Sequence, residues 1–332
     1  GGFVTSIFSE RGQDALPSNP RQISSIAMNP LYFYPQIFLK SQMFKIVLSN
    51  QTLLQLAFSN KIGRALVRGN LLKLSSYSDR SVADHIYTSI KLNNRTSKES
   101  RANRFQDIDQ HTVDLLKEFD KPVFHDVGVS SGITSFELYS LLQDQGVSSS
   151  FNISDKFAKF YYEKTPLYTK IYDSEKKFLN GYVGPIFADQ ESSGKFFITR
   201  WAFQLLNKRP VSNELGTILL YDPKVLSCIA NKEVFHQNYD VFAAPMDEKC
   251  SYLRCMNLLN KGYFPDELII KGVTNLFHSI EEGGVLQIGR TVDGVNYVSF
   301  FRKKDQQLDV IMHLNEGTEI LDLIDSIDFK AQ

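Results

Sequence analysis

The chain has 332 residues, 42% of them apolar, which is enough for two modest domains or for one domain with additions. Lysine plus arginine balances aspartate plus glutamate at 37 each, so no global charge argument favours a nucleic acid or an anionic membrane as partner. Cys228, Cys250 and Cys255 cannot form a fully paired framework and show no CxxC spacing, and the six histidines are scattered. A disulfide scaffold and a metal site are therefore not expected, and a reducing, cytoplasmic setting is. No run of about eighteen apolar residues occurs, so no membrane-spanning helix is expected. Gly1-Gly2 opens without the basic and apolar pattern of a signal peptide.

Taken in order, residues 1 to about 25 are polar and carry Pro17 and Pro20, which predicts a loose arm. Residues 30 to 118 read as mostly helical. Phe38, Met43, Phe44, Val47, Leu53, Leu54, Leu56 and Phe58, then Val82, Ile86 and Ile90, then Ile108, Val113, Leu115 and Leu116 give apolar stripes. The aromatic group Tyr32, Phe33, Tyr34 and Phe38 reads as part of a helix packed on the next domain.

The stretch from Pro122 to Leu142, PVFHDVGVSSGITSFELYSLL, is the most informative. Pro122 to Val127 is a short β-biased run, long enough for a buried strand and too short for a helix. Gly128, Ser130 and Gly132 follow at alternate positions. Phe136, Leu138, Leu141 and Leu142 then recur at helical spacing, with Thr134 and Ser135 placed to cap and Gly146 placed to end the helix. Small residues between a strand and a helix N-terminus let a ligand approach backbone N–H groups closely. A dinucleotide fingerprint would require G-x-G-x-x-G, and Ile133 occupies the place of its last glycine, which argues against a nicotinamide-dependent oxidoreductase.

Downstream, Ser150 to Ser154 reads as the second strand, ending in Asp155 and Lys156 about twenty residues beyond the glycines, where a ribose-binding acid is expected. Residues 166 to 213 break the strand–helix alternation. They suggest an insertion made of a hairpin and a short helix, FFITRWAFQLLNKR, with Trp201 buried. Ile218 to Tyr221 reads as a strand that makes Asp222 the rival of Asp155, and Lys224 starts a helix. In Val234 to Pro245 a short apolar run leads into Asp240, followed by the apolar pair Val241 and Phe242. Cys250 to Phe264 reads as the fourth strand and its exit loop. Pro265 opens a helix that Glu282-Gly283-Gly284 ends, followed by a strand from Val285 to Gly289. NYVSFFRKK and LDVIMHLNE complete the sheet as antiparallel strands.

From about Phe119 to Arg302, the ordered set of Asp126-x-Gly128-x-Ser130-x-Gly132, Asp155, Asp240 and EGGVL resembles the class I methyltransferases that use S-adenosylmethionine (SAM), with Ser130 in place of the middle glycine. Arg254-Cys255-Met256-Asn257 is similar in position to a run of the chemotaxis-receptor glutamate methyltransferases. The resemblance implies an α/β fold: a Rossmann-like seven-stranded sheet with helices on both faces. Residues 1–118 would add an arm and helical region, and 119–332 would form the SAM-binding domain.

It further implies SAM as cofactor and S-adenosylhomocysteine (SAH) as product. Asp126, Gly128, Ser130, Ser131, Gly132, Asp155, Lys156, Asp240, Val241 and Asn257 would bind the cofactor, with Asp240 on the adenine amino group. Candidates for a role near the methyl group are Asn257, Asn260, Tyr263 and His125, although His125 also reads as a hydrogen-bonded core residue. The acceptor would be a small molecule or a protein carboxylate rather than a nucleic acid. The alternative is a methyltransferase-like module that has lost turnover and serves as a binding surface.

Overall fold

The computed structural model describes residues 33–35, 67–69, 102–183, 186–190 and 197–330. The chain divides into two compact units, Gly1–Glu99 with Lys159–Pro223 and Ser100–Ala158 with Lys224–Gln332.

In the first unit, β1 (Phe33–Pro35) pairs antiparallel with β2 (Val67–Gly69), so the aromatic group near Tyr34 expected in a helix includes strand residues instead. The apolar stripes expected from Phe38 to Phe58 and from Val82 to Ile90 lie outside the described residues. A separate five-stranded sheet, in the order β8-β7-β6-β5-β9, is antiparallel throughout. Its strands are β5 (Lys159–Lys164), β6 (Tyr168–Tyr172), β7 (Phe178–Val183), β8 (Ile186–Asp189) and β9 (Gly216–Leu219). The helix α3 (Phe197–Asn207) lies between the last two in the chain. The break from the main sheet thus comes at 158/159 and not at 166, because KFYYEK pairs with both β6 and β9. Trp201, expected to be buried, is 49% exposed on α3.

The second unit is built on a seven-stranded sheet in the order β10-β4-β3-β11-β12-β13-β14. Its members are β3 (Val123–Val127), β4 (Ser150–Ser154), β10 (Phe235–Gln237), β11 (Cys250–Met256), β12 (Ile280–Val292), β13 (Val295–Lys304) and β14 (Gln307–Leu314). The first five are parallel, and β13 and β14 follow as an antiparallel meander. Counted within this unit, the parallel strands run 3-2-1-4-5, the Rossmann-like doubly wound order. Helices cover both faces, as expected for a buried parallel sheet.

On one face, Val127, Leu253, Cys255, Leu286 and Ile288 pack into a core with Ile269, Val273, Leu276 and Phe277 of α5 (Asp266–His278). The short helix α6 (Leu321–Asp325) adds Leu323 and Ile324 to that core. On the other face lie α1 (Gln106–Leu116), α2 (Ile133–Asp144) and α4 (Pro223–Ala230). α1 is held by polar groups: Thr112 Oγ1 and Tyr252 Oη donate to Gln287 Oε1 at 2.9 and 2.7 Å, and Asp109 pairs with Arg254. Residues 100–118 therefore belong to this unit, and the boundary expected at 118/119 falls at 99/100.

Glu282-Gly283-Gly284 also departs from expectation. α5 stops at His278, and β12 has begun by Ile280. The two glycines form a bulge where the register jumps from Cys250↔Ile280 to Tyr252↔Val285. Gly283 sits at φ +81°, where a side chain is strained though there is room for one, and a Cβ on Gly284 would lie 2.9–3.0 Å from the backbone oxygens of Glu281 and Ser251, too close for a side chain.

Candidate functional site

In this strand order the connection direction reverses between β3 and β11, and the crevice beyond their carboxyl ends is where doubly wound sheets place ligands. Two loops meet there: 128–132 after β3 and 257–264 after β11.

The first loop explains its own sequence. Gly128, Ser130 and Gly132 have φ of +73°, +56° and +76°, so the alternate small residues mark three left-handed positions in five residues. Gly128 and Val129 donate their N–H groups to the Ser154 carbonyl at the end of β4. Ser130 N donates to Asp155 Oδ2 at 2.8 Å, and Phe157 N donates to Asp155 Oδ1, also at 2.8 Å. The Asp155 carboxylate thus lies against the loop backbone, and each of its oxygens accepts an N–H. Gly132, the N-cap of α2, has no side chain to cap the first turn. Ser135, expected to cap, instead donates its hydroxyl to Asp126 Oδ2 at 2.7 Å. The Ser130 Oγ atom is buried without a hydrogen-bond partner, and Ser131 is buried beside it.

Beneath the loop lies a buried charge cluster. Arg254, 0% exposed, sends Nη1 to Asp109 at 2.8 Å and Nη2 to Asp126 at 2.5 Å, and also reaches the Thr134 carbonyl. Burial, with the Asp126 and Glu137 charges, outweighs the attraction of Arg254 and pushes the Asp109 carboxyl up to about 7. Asp126, expected at the cofactor, is turned inward to Arg254 and Ser135.

At the rim, Lys156 Nζ lies 2.7 Å from Asp240 Oδ2, so the ends of β4 and β10 are bridged by two residues the sequence reading assigned to the cofactor. Val241, expected to bind the cofactor, is buried at 3% exposure instead. Its side chain is in the α5 core, and its carbonyl accepts a hydrogen bond from Asn275 at 2.7 Å. Phe242 packs instead against Phe264, with ring centroids 4.7 Å apart and the rings tilted at 56°. Asp222 follows β9 of the antiparallel sheet and not a strand of this one.

On the second loop Asn257, at φ +59°, accepts the Thr291 N–H through Oδ1 at 2.7 Å, tying the end of β11 to β12. Leu258 rests on Gly128. Asn260 is buried, its Oδ1 accepting the Gly262 N–H, and Tyr263 stands 75% exposed. His125 lies within the sheet, not at the rim. Nε2 is 2.9 Å from Ser154 Oγ, and burial drives its pKa down to about 4, leaving the imidazole neutral at pH 7. Sequence reasoning missed Asp109 and Leu258. Asp109 looked like one more acid in the first turn of a helix, and Leu258 like one more apolar residue.

The Gly128–Leu258 contact gives a measurable expectation. A Cβ on Gly128 would meet Leu258 Cδ2 at 2.9 Å. Gly128→Ala should lose about 1–2 kcal/mol from the left-handed backbone alone, plus the cost of displacing Leu258. In denaturant titrations, adding Leu258→Ala should cancel only the second part. Full additivity of the two losses would show that the residues do not touch.

No family model and no curated protein sequence matches the chain. Among solved structures, it overlaps LepI in complex with SAM at 11% identity over 70% of this chain and 42% of that one, with a TM-score of 0.31. It overlaps the magnesium protoporphyrin IX methyltransferase of Synechocystis PCC 6803 with bound SAM at 10% identity over 62% and 70%, TM-score 0.27. A SAM-dependent methyltransferase of Clostridium acetobutylicum ATCC 824 overlaps at 10% over 68% and 80%, TM-score 0.29. No residue of this chain takes a role from overlaps that loose.

Proposed function

We propose that this chain binds SAM at the carboxyl ends of β3 and β4 and transfers its methyl group to an acceptor, a small molecule or a protein carboxylate. One observation carries the reading: a loop with three left-handed positions opens an uncapped helix directly beside a carboxylate at the end of the neighbouring strand. The orphaned Ser130 Oγ, the first-turn N–H groups of α2 and the Asp155 carboxylate beside them offer donors and acceptors of the kind that the hydroxyl and carboxylate groups of such a cofactor require. Asp155 supports this role better than Asp222, because it ends a strand of the sheet that carries the loop.

SAM, when bound, supplies an already activated methyl group on a sulfonium. The residues of the chain have to hold, orient and exclude water. Asp155 would hold the ribose hydroxyls, with Ser130 N fixing that carboxylate. Asp240 would take a donor from the adenine edge once Lys156 swings aside, and the half-exposed pair permits this at little cost. Asn257, Leu258 and Tyr263 would line the acceptor side of the crevice. No general base is assigned, because His125 is buried in the sheet and faces Ser154.

The Leu258 contact on Gly128 and the Lys156–Asp240 bridge favour one second reading, a module that has kept the fold and lost turnover. Isothermal titration of the full chain with SAM and with SAH separates the two. Saturable heat with both, and SAH release on screening acceptors, is expected. Heat without turnover on any acceptor favours the module, and no heat from a folded protein removes the cofactor assignment altogether.

A further inference from the structure

α3 (Phe197–Asn207) turns Thr199, Ala202 and Leu206 inward, all nearly fully buried, and packs Phe203 on Phe178 at 5.4 Å. Its outward stripe is Phe197, Arg200, Trp201, Gln204 and, just past the helix end, Lys208, spaced i, i+3, i+4, i+7 and i+11. On an ordinary surface helix this stripe would be polar. Here Phe197 is 84% exposed, a full helical turn before the half-exposed Trp201.

The far end of the helix repeats the combination of apolar and basic groups. Arg209 lies over the Tyr168 ring at 4.7 Å, and Lys170 Nζ donates to the Arg209 carbonyl at 2.9 Å, which brings the β5–β6 turn alongside. Leu167 on that turn is 73% exposed, and Val211 two residues past Arg209 is 49% exposed. From Phe197 to Asn213 the sequence holds Arg200, Lys208 and Arg209 and no acidic residue, in a chain whose overall charge is zero.

We propose that this face docks on an anionic lipid surface, with α3 lying in the plane of the headgroups. The chemistry is that of an interfacial helix: aromatic and aliphatic side chains that enter the boundary region, flanked by cations that meet lipid phosphates, while the Glu163 carboxylate near Arg209 accepts the Tyr168 hydroxyl. The helix is about 16 Å long by its rise per residue, half of what a bilayer core requires, so it lies on the surface and does not cross. No helix among the described residues is long and apolar enough to span a membrane. Cofactor binding is independent of this proposal.

Trp201 is the only tryptophan in the chain and serves as the reporter. The full chain is mixed with vesicles of phosphatidylcholine alone, and of phosphatidylcholine with phosphatidylglycerol, and followed by tryptophan emission and co-sedimentation. A blue shift and sedimentation are expected with the anionic vesicles only. Phe197→Asp, at a solvent-facing site, should abolish both signals while leaving the circular dichroism spectrum unchanged. Lys208→Glu with Arg209→Glu should weaken binding by at least roughly 25-fold, at about five-fold per cation removed.

Three results would overturn the proposal. They are no binding to anionic vesicles, equal binding to phosphatidylcholine alone, and binding unaffected by Phe197→Asp. Self-association in the absence of vesicles that Phe197→Asp removes would assign the face to a second copy instead.

Discussion

Arg254→Met is expected to be among the most destabilising single substitutions in the second unit, at about 3–5 kcal/mol near pH 8. The guanidinium is wholly buried and bridges Asp109 of α1 to Asp126 of β3, so its loss leaves two carboxylates facing each other without a cation. The wild type already shows the tension. Asp109 has an unfolded value near 3.8 and a folded value of about 7. Between those two values the folded state holds the extra proton, and stability falls as pH rises through that window. Above pH 7 both states are ionised and this slope ends. Asp109→Asn should therefore flatten stability between about pH 4 and 7. Arg254→Met should steepen its fall, because two acids then resist ionisation. Urea midpoints at pH 5 and pH 8 decide the matter. An Arg254→Met loss that is small, or equal at both pH values, would show that the cluster does not carry the docking of α1.

That cluster also marks where sequence reading ran out. The strand, loop and helix from Val123 to Asp144 were legible because period-two and period-3.6 patterns are local properties of the chain, and three positive-φ positions within five residues favour small side chains. The same holds for the antiparallel strands β13 and β14 as elements. Partnerships across long sequence separations left no such trace. Asp109 and Arg254 are 145 residues apart, and nothing local distinguishes an acid that will be buried from one that will cap.

KFYYEK shows a related limit. Six residues are too few for a local pattern to separate helix from strand, and only the two neighbours in the antiparallel sheet settle it. Glu282-Gly283-Gly284 was recognised as a landmark but assigned to a helix end. A glycine pair is needed equally by a left-handed cap and by a bulge. In the candidate site the residue types were readable and their directions were not: Asp126 turns inward, Val241 enters the core, and Asp155 lies against the loop.

Asp155→Ala is expected to weaken SAH binding by about 10- to 100-fold, the worth of a hydrogen bond to a charged group. The variant alone would not separate a ligand contact from a loop anchor, because the same carboxylate accepts Ser130 N and Phe157 N. A chemical cycle does separate them. If Asp155 accepts a ribose hydroxyl, the wild type should bind SAH about 10-fold or more tightly than its 2′-deoxy analogue, since a site built around a hydroxyl penalises its absence. Asp155→Ala should then bind the two nearly equally, the loss appearing once and not twice. If the carboxylate only holds the loop, the variant should lose stability and affinity for both compounds in parallel, with the ratio between them unchanged. Because Ser130 sits at φ +56° and depends on that anchor, Ser130→Gly should recover part of the stability in the second case. It cannot restore discrimination in the first, which makes the ratio of the two affinities, and not their size, the measure of what Asp155 does.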